Sequence, residues 1–222
     1  MTRPAFDLSV YLVTDTGQCG ALGVAETVRR AVAGGATLVQ LRDPDASRAE
    51  LVALGRELLA VLDGTGVPLI INDHADVAAE IGADGVHIGQ GDLAPDAVRA
   101  IIGPDALLGL STHDAAEVDA AAAWGDVLDY LGVGPVWPTG SKADAADAIG
   151  TDTLAALARR SAYPCVAIGG ISAARVTDVR RAGADGVAVI SAICGQPDVE
   201  AATRDLVQRW ASAASPDQGE RR

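Results

Sequence analysis

Polar and charged residues gather at a few places along this chain, each just after or within the end of a short apolar run. Gln40 and Arg42 lie in "ATLVQLR", Asn72 and Asp73 close "PLIIND", and Gln90 and Asp92 follow "GVHI". Ser111, Thr112 and His113 follow "LLGL", and Thr139, Gly140, Ser141 and Lys142 lie in "GPVWPTGSKADA". Gly169 and Gly170 close "VAIGG", and Ile190 and Ser191 lie in "VAVISAI". Asp73 and Asp92 are suited to a hard cation such as Mg2+. That ion is usually held by one or two carboxylates, with substrate phosphate completing its shell. Either aspartate could instead cap the helix that follows it. There is no His/Cys cluster of the kind zinc requires.

The Thr139–Lys142 stretch offers hydroxyls, backbone N–H groups and one ammonium, which together suit phosphate oxygens. Lys142 is the only lysine among 17 basic residues. An arginine-biased composition could leave one lysine by chance, but a point charge and a planar fork are not interchangeable on phosphate. Gly169 and Gly170 free backbone N–H groups for a second phosphate cup, extended by Ile190 and Ser191 and by a short helix N-terminus. They could equally form only a tight turn. A metal, an arginine and a lysine facing one mouth suit a diphosphate leaving group, because they neutralise charge that grows as a bond breaks. His74, His87 and His113 read as structural or peripheral, and no Ser-His-Asp arrangement is legible.

The elements that must position these groups alternate. Strands are expected at Ser9–Thr14, Thr37–Leu41, Pro68–Asn72, Gly85–Ile88, Leu107–Ser111, Asp129–Val133, Cys165–Ile168 and Gly186–Ile190. They are mostly continuous apolar runs, as parallel strands buried on both faces require. Ala-rich stretches with apolar residues at helical spacing separate them. Pro95 and Asp96 mark a helix start; Gly35, Gly64 and Gly183 mark helix ends. "GGATLVQL", "IGADGVHI" and "AGADGVAV" repeat one helix-to-strand turn. Eight such units predict a single closed (β/α)8 TIM barrel, with an open doubly wound sheet as the alternative. In a barrel the site lies at the C-terminal ends of the strands, where these polar residues fall.

At 222 residues one domain is expected: a barrel over 1–213 and a polar tail over 214–222. Aromatics are 3%, so the core should be built from Val, Leu, Ile and Ala. A net charge of −13 opposes binding to nucleic acid or an anionic membrane surface. Cys19, Cys165 and Cys194 show no metal-type spacing, and no pairing can be read from them. The start reads as no signal peptide and no run reaches transmembrane length, so a cytoplasmic protein is expected.

The ordered motifs "YLVTD", "LVQLRD", "IINDHADVAAEIGADGVHIGQGDL", "LGLSTH", "DYLGVGPVWPTGSKADA", "AIGGI" and "GADGVAVISAI" resemble the thiamine-phosphate synthase family over nearly the whole chain. The resemblance implies a (β/α)8 barrel that joins hydroxymethylpyrimidine diphosphate to thiazole phosphate with Mg2+, releasing pyrophosphate. It implies that Gln40, Arg42, Asn72, Ser111 and Lys142 hold the pyrimidine diphosphate, with Arg42, Ser111 and Lys142 catalytic. Asp73 and Asp92 would bind the metal. Thr139, Gly140, Ser141, Gly170, Ile190 and Ser191 would hold the thiazole phosphate. Small phosphorylated substrates and a possible homo-oligomer complete the expectation. Three positions depart from the family pattern: Pro44 replaces a lysine two residues after Arg42, Ser141 replaces a threonine, and Gly91 stands where an acidic residue often precedes the metal aspartate. A thiazole tautomerase-like isomerase and a non-catalytic phosphate-binding barrel are the competing readings.

Overall fold

Eight short apolar runs form eight parallel strands in a computed structural model that describes residues 3–140 and 147–213. The strands are β1 (Val10–Val13), β2 (Leu38–Leu41), β3 (Leu69–Asn72), β4 (Gly85–Ile88), β5 (Leu107–Thr112), β6 (Tyr130–Val133), β7 (Cys165–Ile168) and β8 (Gly186–Val189). Each pairs with the next, and β1 pairs with β8 through Val10 and Val187, so the sheet closes. The open-sheet alternative is thereby excluded. Each expected strand is present, shifted at its ends by at most a residue.

The helices are α1 (Thr16–Cys19), α2 (Val24–Ala33), α3 (Arg48–Leu62), α4 (Ala75–Ile81), α5 (Pro95–Ile102), α6 (Ala115–Ala122), α7 (Gly150–Arg160), α8 (Val176–Arg181) and α9 (Val199–Ser212). Their starts follow local chemistry. Ser47 and Glu50 form a reciprocal capping box on α3, Asp114 and Asp198 cap α6 and α9, and Pro95 opens α5. The helix ALGVAETVRR begins only at Val24; α1 and a 3-10 turn at Gly20–Leu22 precede it.

The repeated helix-to-strand turn has a structural reason. Thr37, Asp84, Asp129 and Asp185 stand immediately before β2, β4, β6 and β8. Asp84 accepts the Leu69 N–H, Asp129 the Leu108 N–H and Asp185 the Cys165 N–H, each at 2.8 Å. Thr37 Oγ1 accepts the Val10 N–H at 3.1 Å. Each side chain thus satisfies a donor that the preceding odd-numbered strand would leave unpaired at its start.

The core has two layers. Between strands and helices it is chiefly Val, Leu, Ile and Ala, as expected. The barrel interior departs from that expectation, because Phe6, Tyr11 and Tyr130 cluster there, with Phe6 and Tyr130 ring centroids 5.9 Å apart. Scarce aromatics are concentrated where the barrel must be filled across its width. All three cysteines are buried and reduced, and Cys19 and Cys194 meet at 3.5 Å between α1 and the turn after β8, a pairing that spacing alone did not reveal. Among the described residues no helix is long and apolar enough to cross a membrane.

Candidate active site

The two-residue period of a strand sorts side chains between barrel interior and helix layer. In β2, Leu38 and Gln40 point inward and Arg42 continues that face; in β3, Ile70 and Asn72 do; in β5, Leu107, Gly109 and Ser111 do. Each series runs from apolar or glycine at the strand start to polar at its C-terminal end. A chamber therefore opens at that end. Gln40, Arg42, Asn72, Ser111, Thr139, Gly170, Ile190 and Ser191 all line it. These come from six strands or the loops after them, and eight expected site residues meet in one place.

The other expected residues are placed differently. Asp73 lines a smaller recess beside the chamber, shared with Arg42, Asn72 and Pro44. Asp92 lines neither space, and its Oδ2 accepts the Gly89 N–H at 2.7 Å. Gly140 follows Thr139 without lining the chamber. Ser141 and Lys142 lie outside the described residues, as does the 214–222 tail.

Neither aspartate is a helix cap. His74 holds the N-cap position of α4 and Ala94 that of α5. Asp73 instead carries φ 61°, the one left-handed non-glycine backbone among the described residues. A residue held there costs free energy, and such positions cluster at functional sites. Its Oδ2 accepts the Asn72 side-chain N–H at 2.5 Å. Among the described residues no cluster of three or more His, Cys, Asp or Glu could hold a metal unaided. Two rim carboxylates are hard oxygen donors, which fits an ion that completes its shell with water and phosphate.

Arg42 is held from behind. Its N–H donates to Thr14 Oγ1 at 3.0 Å, and that hydroxyl donates to the Arg42 carbonyl at 3.3 Å. The guanidinium is largely buried, yet Nη1 is without a hydrogen-bond partner, and Asp15 is 3.9 Å away. A buried cationic N–H without a hydrogen-bond partner is rare and leaves a donor for whatever enters the recess.

The cup after β7 depends on two glycines. A Cβ on Gly169 would meet Pro135 Cβ at 2.4 Å, and one on Gly170 would meet Trp137 Cβ at 2.8 Å. The loops after β6 and β7 therefore close on each other, fastened by the Trp137 N–H to the Gly169 carbonyl at 3.1 Å. Arg175 donates to the Gly170 carbonyl and lies over the Trp137 ring at 4.8 Å. After β8 the expected short helix is a turn, with the Ile193 and Cys194 N–H groups both donated to the Ile190 carbonyl.

With this geometry in view, the comparisons with known proteins agree. The family model described as thiamine monophosphate synthase matches residues 10–193.

The chain belongs to the thiamine monophosphate synthase family.

It is 52% identical over 201 residues to thiamine-phosphate synthase of Azorhizobium caulinodans, covering 90% of this chain and 94% of that protein. It is 53% identical over 206 residues to the protein of that name from Xanthobacter autotrophicus, covering 93% and 96%. The solved structure of thiamine phosphate pyrophosphorylase from Pyrococcus furiosus superposes with a TM-score of 0.83 at 33% identity, covering 92% of this chain and 96% of that one. The chain is an enzyme of this transferase family.

Membership leaves some chamber residues unexplained. Tyr11, His87, Gly132 and Pro135 also line the chamber. Sequence reasoning assigned them no functional part. The signal available was the inward parity of Tyr11 in "VYLV" and of His87 in "GVHI". Burial holds the Tyr11 and Tyr130 hydroxyls above their ordinary pKa, so both stay protonated. His113, also on the wall, has Nδ1 3.0 Å from Glu117 Oε2.

Proposed function

We propose that the enzyme condenses 4-amino-2-methyl-5-hydroxymethylpyrimidine diphosphate with thiazole phosphate, giving thiamine phosphate and pyrophosphate by a dissociative substitution. The observation that carries this reading is the buried Arg42 Nη1, which has no hydrogen-bond partner and only the 3.9 Å ion pair to Asp15, where the chamber and the Asp73 recess join. An anion in that recess completes its hydrogen bonding, and a ring in the chamber would then carry that anion as its leaving group.

In this reading Gln40, Asn72 and Ser111 orient the aminopyrimidine, while Arg42 and Lys142 take up its diphosphate. The bond from the pyrimidine methylene carbon to the diphosphate oxygen breaks, and the electron pair leaves with pyrophosphate. The ring amino group donates electrons to the cationic carbon that remains. The thiazole nitrogen lone pair then forms the new C–N bond. No protein nucleophile takes part, so the catalytic groups Arg42, Ser111 and Lys142 act by position and charge. Thr139, Gly140, Ser141, Gly170, Ile190 and Ser191 hold the thiazole phosphate. Asp73 and Asp92 would hold Mg2+, which when bound neutralises charge developing on the leaving diphosphate. Every group named comes from one chain, so a homo-oligomer is not needed to complete the site. The catalytic unit is the barrel over 1–213, and its setting is the reducing cytoplasm.

Purified protein mixed with both substrates and Mg2+ should release pyrophosphate, and omitting either substrate or the metal should abolish release. No release from folded protein would overturn the reading.

A further inference from the structure

Beneath the chamber a line of hydrogen bonds crosses the barrel interior. Gln40 Nε2 donates to the Tyr11 hydroxyl at 2.6 Å. The Tyr11 and Tyr130 hydroxyls are 3.0 Å apart. The Tyr130 hydroxyl is 3.1 Å from His87 Nδ1, and His87 Nε2 is 2.9 Å from Ser111 Oγ. Both tyrosines, His87 and Gln40 are buried. Gly109 and Gly132 make the room: a Cβ on Gly109 would stand 2.5 Å from His87 Nδ1, and one on Gly132 would stand 3.0 Å from its Cε1.

A hydroxyl has one proton to give, so the direction of one bond in the line sets the next. With Gln40 donating, Tyr11 donates to Tyr130 and Tyr130 donates to His87 Nδ1. The imidazole then carries its proton on Nε2 and donates to Ser111 Oγ. The Ser111 proton is left for the chamber, as is the Gln40 carbonyl. Turning the amide over reverses every bond. Tyr11 donates to the amide oxygen, His87 carries its proton on Nδ1, and Ser111 donates to Nε2. The chamber then meets the amide N–H2 and the Ser111 lone pairs.

We infer that Tyr11, Tyr130 and His87 are positioning residues that tie the hydrogen-bond sense of Gln40 to that of Ser111. Whichever way the line runs, this pair can offer the chamber one donor and one acceptor, and never two donors. The chamber therefore accepts a flat heteroaromatic ring with a donor and an acceptor on the matching edge, and it disfavours rings with two acceptors there. An amino group beside a ring nitrogen is such a pair. The choice of that ring rests on the proposed function; the relay itself does not.

The test reads the His87 tautomer from ring 15N shifts of 15N-histidine protein at pH 9, with signals assigned through His74→Asn and His113→Asn. Neutral imidazoles are expected there, and an ionised carboxylate at position 40 can only accept. Wild type should show the Nε2–H tautomer. Gln40→Glu, several groups away, should switch it to Nδ1–H. Adding Tyr130→Phe should remove the dependence on position 40, leaving the tautomer of Tyr130→Phe alone. An Nε2–H tautomer in Gln40→Glu, or a switch that survives Tyr130→Phe, overturns the relay. Should Gln40→Glu not fold, Tyr130→Phe alone serves: the single Nε2–H form should become a mixture, and an unchanged single form overturns the relay. Pyrophosphate release tests the function separately. A switch without turnover would sink the proposed reaction and leave the relay standing.

Discussion

Gly109 and Tyr130 stand so close that a Cβ on the glycine would lie 2.2 Å from the tyrosine ring. The contact joins β5 to β6 inside the barrel, directly below Ser111. Gly109→Ala must push the ring aside, and with it the hydroxyl that reaches His87. Overpacking of this kind costs about 1–3 kcal/mol. The expected result is a lower urea midpoint together with a fall in kcat.

Asp73→Gly separates stability from function. The left-handed backbone at Asp73 suits glycine, so the variant should gain on the order of 1 kcal/mol in urea unfolding. The proposed metal carboxylate is lost, so pyrophosphate release should fall by about a hundredfold or more. A variant both active and more stable would show that the strain at this position serves no function.

Arg42→Met makes a related distinction. The guanidinium has a buried nitrogen without a hydrogen-bond partner and only a long, part-exposed ion pair to Asp15 at 3.9 Å, so its removal should leave stability within about 1 kcal/mol of wild type. The Thr14 clamp on the Arg42 backbone does not depend on the side chain. Activity should drop by about a hundredfold or more, the effect of losing one charge-stabilising group. Urea titration and pyrophosphate release on the same preparation check both expectations.

The lone lysine gives a third test of charge. Lys142→Arg replaces a compact ammonium by a planar fork and should lower kcat by about a hundredfold. Pro44 lines the recess with Arg42 and Asp73, at the position where the sequence resemblance implies another lysine. Pro44→Lys should therefore lower KM for the diphosphate substrate and partly restore the Lys142→Arg variant. Steady-state kinetics of the two single variants and the double variant decide this.

Stability should fall in alkali because of the interior tyrosines. Burial is the main cause that raises Tyr11 and Tyr130 above the ordinary value near 10. Above that value the unfolded chain loses these protons while the folded chain keeps them. The unfolded state then binds fewer protons, so stability decreases as pH rises. The stabilisation is fully present below about pH 10 and is lost above it, by about 1.4 kcal/mol per pH unit for each tyrosine. Urea midpoints at pH 9, 10 and 11 should show this slope, and Tyr130→Phe should reduce it.

The barrel was legible because each strand is a short apolar run, and because one turn recurs before them. Even so, that repeat was read only as Gly-Ala; its bonding role belongs to the residue that follows, Thr37, Asp84 or Asp185, and to Asp129 before β6, each acting across to a neighbouring strand. The rim residues were legible because barrel chemistry falls just after strands. The N-cap alternative for Asp73 and Asp92 could not be settled from sequence, since an aspartate before a helix serves either purpose. Backbone torsion at Asp73 and the Gly89 contact of Asp92 are matters of loop path.

The sequence by itself determined the alternation of elements, the polar residues at strand ends and the family, because local periodicity and motif order are one-dimensional properties. Only the tertiary structure decided that Tyr11, Tyr130 and His87 meet in one line between Gln40 and Ser111. Those residues lie on β1, β6 and β4, far apart along the chain. Closure of the sheet brings their inward faces together across the barrel axis. No spacing within a single strand records that encounter, which is why the tyrosines read as scarce aromatics until the barrel was closed around them.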